Sequence, residues 1–239
     1  MPATTSDQNP ACLICGAPLE YFEKEEEMTC SVCGKTILSN AKCTNGHFVC
    51  DECHASPSFA VIRYVCLHTA STDPFSIATE IMDSDAVHMH GPEHHILTGA
   101  ALLAAYKNAG GDLDLPTALT SMEHRGKMVP GGFCGLAGTC GAAVSAGIFL
   151  SIALKTNPLS EKNWALGNLL TGECLIKIGS IGGPRCCKRD TYIAMQTAVE
   201  FVAKHLGINM TMPEKIVCEY SGRNQECLLD ECPFHPMNM

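Results

Sequence analysis

Seven cysteines and one histidine near the start of the chain fall at spacings that suit metal coordination. CLIC (12–15) and CSVC (30–33) are two C-x-x-C knuckles separated by a hairpin-sized insert. That spacing lets each knuckle deliver two sulfurs to a tetrahedral ion. CTNGHFVCDEC follows, offering Cys43, His47, Cys50 and Cys53, with Asn45-Gly46 as the turn before the histidine. Two zinc ions are therefore expected on Cys12, Cys15, Cys30, Cys33, Cys43, His47, Cys50 and Cys53, with consecutive and crossed pairings both open. Closed four-ligand sites of this kind usually stabilise folds too small to have a core of their own. His54 is surplus to both sets.

Nine more cysteines follow, of which Cys66 and Cys174 read as small buried hydrophobes. In GGPRCCKRD (182–190) the adjacent Cys186 and Cys187 sit among Arg185, Lys188 and Arg189 at an expected helix start. Adjacent cysteines rarely pair with each other, because ordinary backbone cannot present both sulfurs at disulfide geometry. The nearby cations favour thiolates. FCGLAGTCG places Cys134 and Cys140 in a second glycine-rich loop that ends at a helix. Two such loops offer free N–H groups and positive charge to an anionic centre. An iron–sulfur cluster, of the 4Fe-4S type, is thus expected on Cys134, Cys140, Cys186 and Cys187. Cys218, Cys227 and Cys232 of the tail are the alternates, since Cys232-Pro233 matches the Cys-Pro ending of some ferredoxin motifs. Three protein ligands would leave one iron open to a substrate. DAVHMHGPEHHILTG adds four histidines and Glu93, so Glu93, His94 and His95 become acid–base candidates, with Arg185 as a charge-balancing partner.

The elements that must position these residues are mainly helical. The chain has 239 residues, 46% hydrophobic and 17% charged, enough for a real core. Residues 1–11 read as a polar tail, 12–54 as a two-zinc ribbon or hairpin module, 55–75 as a linker, and 76–239 as a cysteine-rich helical domain. The EKEEE run (23–27) reads as a solvated turn or hairpin tip. Helices are expected over PEHHILTGAALLAAYKN, DLPTALTSMEHRGK, 142–154, a segment capped by Ser160, and RDTYIAMQTAVEFVAKHLG. The tail from 214 should open with a short strand. Residues 128–154 lack charge, but the glycines and proline of the first half and the shortness of the rest favour a buried core helix over a membrane span.

A net charge of −9 argues against broad nucleic-acid or anionic-lipid binding. MPATTSDQNP has neither the basic nor the apolar region of a secretory leader, so sixteen cysteines suit a reducing cytoplasm with thiols on metal. So many thiols also suit a low-oxygen cell.

HGPEHHILTGAALLAAYKN, GGFCGLAGTCGAAVSAGIFLS, GGPRCCKRDTYIAM and the closing ECPF resemble an uncharacterised cysteine-rich domain family of methanogens and anaerobic bacteria. The likeness covers about residues 80–235. That family often accompanies or is fused to S-adenosylmethionine-dependent methyltransferases, and CTNGHFVCDEC resembles RING-type domains with crossed pairing. No GxGxxG-type loop follows an expected strand here. The resemblance implies anaerobic metabolism and a methyl-transfer or sulfur-metabolism setting. The expected function is a cluster enzyme acting on a sulfur- or methyl-bearing substrate. The alternatives are an electron-transfer or accessory protein for a methyltransferase or corrinoid partner, and a zinc-only adaptor for protein or RNA.

Overall fold

A computed structural model of the chain describes residues 12, 14–15, 17–31 and 34–238. It is mainly helical, with one small antiparallel hairpin at the N-terminal side. Strand β1 (Leu19–Thr29) pairs with β2 (Thr36–Cys43), Leu19 lying opposite Cys43 and Thr29 opposite Thr36. The register slips between Tyr21 and Glu26. The EKEEE run therefore lies within β1, not at the tip. A two-stranded ribbon leaves most of its surface wet, so these charges stay exposed at little cost, and Glu26 meets Lys42 at 3.5 Å. The core here is minute: Met28, Cys30, Phe48 and Cys50, two of them cysteines.

Helix α1 (Asp51–His68) grows directly out of this module, with Cys50 as its N-cap. Residues 55–75, read above as a linker, thus contain most of a helix. Pro57 removes one helical hydrogen bond, but Ile62, Val65 and Cys66 further along are buried in the main core. Pro74 opens α2 (Pro74–Met82), where Asp73 accepts from the Phe75 N–H at 2.8 Å.

Helix α3 (His94–Asn108) is the hub of the domain, buried along nearly its whole length and packed by α1, α2, α4, α6 and α8. α4 (Leu115–Gly126) starts at Asp114, which accepts from the Thr117 N–H. The short α5 (Phe133–Leu136) leads into α6 (Gly141–Ala153), which crosses α3 where the Gly99 N–H donates to Ser145 Oγ at 2.8 Å. The crossing is tight. A Cβ at Gly99 would run into the Met122 sulfur and come within 2.8 Å of the Ser145 carbonyl. α6 is the uncharged stretch noted above. α3, α4, α7 and α8 cover it, and among the described residues no helix is long and apolar enough to cross a membrane. Fully buried Phe149 and Leu102 each contribute about 1.5–3 kcal/mol of burial energy.

α7 (Lys162–Ile181) begins one residue later than expected. Glu161 is its N-cap without a side-chain bond, and Ser160 Oγ instead accepts from the Asn157 N–H. α8 (Cys187–Leu206) ends at Gly207, whose φ of 70° stops the helix. The tail forms no strand among the described residues. It is an irregular strap with three short 3₁₀ turns, fastened by Tyr220 (OH to Asp83 at 2.9 Å) and by Phe234, which meets Tyr192 edge-on.

Candidate metal centres

The hairpin register fixes how the N-terminal ligands combine. With Leu19 opposite Cys43, the base of the ribbon carries the first knuckle to the end of β2. Cys12, Cys15, Cys43 and His47 present donor atoms all within 4.8 Å of one another. His47 Nδ1 lies 3.2 Å from Cys15 Sγ, and Cys15 and Cys43 sulfurs are 3.9 Å apart. At the other end of the ribbon, Cys30 bridges to Phe48, and Cys30, Cys50 and Cys53 form a second group at the same close spacing. Cys33, the remaining member expected there, lies outside the described residues. The sets are therefore crossed, first knuckle with third, and each could hold one ion. Backbone N–H groups of Ile14, His47 and Cys50 point at Cys12, Cys43 and Cys30, the outer-shell bonds that steady thiolates. The Ala17 N–H and the Asn45 amide pull the Cys15 thiol down to about 6.

In the helical domain, one cavity gathers Cys186 from the start of α8 with Cys218, Cys227 and Cys232 from the tail strap. Arg189, Tyr220 and Asn224 also line it. The four sulfurs do not close to the spacing of the two groups above. A cubane spreads its thiolates more widely than a single tetrahedral ion does. Each thiol receives a backbone N–H: Cys186 from Arg189, Cys218 from Tyr220, Cys227 from Leu229 and Cys232 from Phe234. Each of the three tail cysteines thus opens a turn of the same kind, in which the N–H two residues on faces the sulfur, as Ile14 faces Cys12. Asn224 Nδ2 adds a bond to Cys186 at 3.4 Å. Burial pushes the Cys186 thiol up to about 11, a penalty on the thiolate that a cation in the cavity would offset.

Cys134, Cys140 and Cys187 do not line this cavity. Cys134 sits on α5, and Cys140, the N-cap of α6, donates to Asp190 Oδ2 at 3.6 Å. Asp190 is in turn paired with Arg189 at 3.0 Å. Cys187 belongs to another neighbourhood. Its N–H donates to His90 Nδ1, which leaves the proton on Nε2, near Asn224 Oδ1 (3.1 Å) and Glu226 Oε2 (2.7 Å). The Gly91 N–H faces the Cys187 sulfur, whose pKa is raised by desolvation.

Of the acid–base candidates, Glu93 and His94 are buried within this second neighbourhood, as is Lys188, whose ammonium lies over the Tyr220 ring. His94 Nδ1 bonds the Gly91 carbonyl, and its Nε2 has no partner. Burial, then the nearby Lys188 charge, holds the His94 imidazole well below its ordinary pKa, so it is neutral. His95 points elsewhere: its Nδ1 bonds the Val129 carbonyl at 2.9 Å and braces the loop before α5. Arg185 lies between Glu226 (3.9 Å) and the Tyr21 ring, joining α8's leading loop to the hairpin. His54, unassigned from spacing, reaches Glu93 from α1. No local motif marks that contact, because the two residues belong to different elements.

A mainly helical, cysteine-rich domain with candidate metal centres is what the fold and these sites define. A family model matches residues 62–235, and the chain belongs to that family of unknown function, DUF5714. No curated protein and no solved structure matches the chain.

Proposed function

We propose that this chain is an iron–sulfur and zinc protein of anaerobic metabolism, and that its helical domain serves electron transfer. In this reading the crossed N-terminal groups hold two zinc ions as structural sites, with Cys33 completing the second. A 4Fe-4S cluster is held by Cys186, Cys218, Cys227 and Cys232. The observation that carries the reading is the convergence of four thiols on one cavity, each facing a backbone N–H. Hydrogen bonds to the sulfurs are a principal means of tuning a cluster's potential. Four cysteines would saturate the irons, which favours one-electron transfer over substrate binding at an open iron. Arg189 at the cavity wall and Lys188 nearby would balance the extra negative charge of the reduced state. A methyltransferase or corrinoid protein is the partner class that the family resemblance suggests.

Anaerobic reconstitution with iron and sulfide, followed by visible absorption and EPR after reduction, tests this. A brown protein with about four irons and a reversible reduced signal is expected, lost in Cys227→Ser. A colourless chain holding only zinc would overturn the cluster and leave the zinc-only adaptor. A second reading, an enzyme acting on a sulfur- or methyl-bearing substrate, is favoured by the buried Glu93, His94 and Lys188 beside Cys187. It requires Cys187→Ser to abolish in vivo function while cluster absorption stays intact.

A further inference from the structure

We propose that His54, His88 and Glu93 form a third metal centre, which takes one divalent first-row ion on nitrogen and oxygen donors alone. The three residues come from α1 and from the loop ahead of α3, and their donor atoms lie within 4.8 Å of one another. Glu93 is fully buried. Its Oε1 accepts from the His88 N–H at 2.9 Å and sits 3.2 Å from His88 Nδ1. Its Oε2 lies 3.6 Å from His54 Nδ1, and neither of these two atoms has a hydrogen-bond partner.

A simple ion pair accounts poorly for this arrangement. At 3.6 Å the His54–Glu93 contact is too long for a hydrogen bond. A buried carboxylate oxygen without a partner has lost its hydration with nothing in exchange. The two imidazole rings also lie against each other, centroids 4.1 Å apart and planes tilted by 46°. Two imidazolium cations would repel at that distance, whereas two neutral imidazoles beside a shared cation would not. The backbone leaves room for the carboxylate at one place only by omitting a side chain: a Cβ at Gly91 would collide with the Glu93 carboxylate.

Two histidines and one carboxylate are the donor set of mononuclear iron(II) sites with open positions, and also of three-ligand zinc sites. The side chains of His54 and His88 are 23% and 31% exposed, so the ion's remaining positions would face outward while the carboxylate stays sealed. No thiolate takes part. The centre therefore differs in metal preference from every cysteine site in the chain, and accepts manganese(II), which thiolates disfavour.

The test uses the full chain with its zinc and cluster in place. It is saturated with manganese(II) chloride, freed of excess, and its total metal outside the cluster is measured. His54→Ala, His88→Ala and Glu93→Gln are each expected to lose one equivalent, with cluster absorption unchanged. Iron(II) or zinc carried through purification counts toward the same equivalent, and which ion is displaced distinguishes the two. Unchanged total metal in both histidine variants would mean a histidine–glutamate ion pair only and would overturn the proposal. Loss of the equivalent together with the cluster's absorption in His88→Ala would also overturn it, because the metal would then belong to the cysteine cavity.

Discussion

The N-terminal module and the helical domain each gather cysteines, but in opposite order of cause. In the module the candidate ligands fall within about forty residues of chain, and among the described residues the core is Met28, Cys30, Phe48 and Cys50, two of them candidate ligands. Metal there would make the fold. In the helical domain the core centred on α3 includes Cys218 and Cys232 but is built mostly of apolar residues that hold no metal, and the cysteine cavity lies where the tail strap closes over the start of α8. There the fold makes the site. A region without apolar area needs the ion for stability, and a region with ample area is free to use the ion for chemistry.

The largest expected effect tests that contrast directly. Cys43→Ser should release one zinc and unfold the hairpin, because structural zinc contributes about 10–16 kcal/mol in such modules. Limited proteolysis within 12–50 would report it, while circular dichroism keeps most of its helical signal. Cys227→Ser should do the reverse, losing the cluster's visible absorption with helical content and protease resistance intact. If that variant unfolds the domain, the contrast between the two regions fails.

The contrast was only half legible in the sequence. C-x-x-C pairs are readable because two sulfurs of one ion can come from one turn, so Cys12, Cys15, Cys43 and His47 could be proposed from spacing. Which pairs combine depends on hairpin register, and spacing does not set that. Cys186 meets the tail cysteines only because Tyr220 and Phe234 dock the strap on the core. A fainter signal was present: in CEY, CLL and CPF a large, mainly apolar residue stands two positions after the cysteine, and these are the three N–H···S turns. Most helices could be read from period and punctuation. α1 was masked by Pro57, whose breaking effect is overridden by the burial of Ile62 and Val65.

Two smaller effects sharpen the helical side. Burial pushes the thiols of Cys66 and Cys174 up to about 12. The unfolded chain releases these protons from about pH 9, so their contribution is complete below that and declines as pH rises toward 12. Thermal melts should show stability falling through this window, by roughly 1.4 kcal/mol per pKa unit per thiol at most. Cys66→Ala should flatten the fall. Gly99→Ala should destabilise the α3–α6 crossing by about 1–3 kcal/mol in denaturant titration, since the Ser145 carbonyl is backbone and cannot rotate away. Least of all, Lys177→Ala should cost less than about 0.5 kcal/mol, because its pair with Glu200 is half exposed on both sides.

Helix α1 has a geometric consequence for how the two regions are joined. Its first turn carries Cys53 toward one metal group and His54 toward Glu93, and its later turns enter the core. A rod of this kind transmits rotational phase as well as distance. Each residue advances the helix by about 100° and 1.5 Å. One alanine inserted between His54 and Ile62 would leave the hairpin and the helical domain individually intact, yet swing His54 about a quarter turn away from Glu93. The number of residues in that segment, whatever their identity, is thus itself a structural specification.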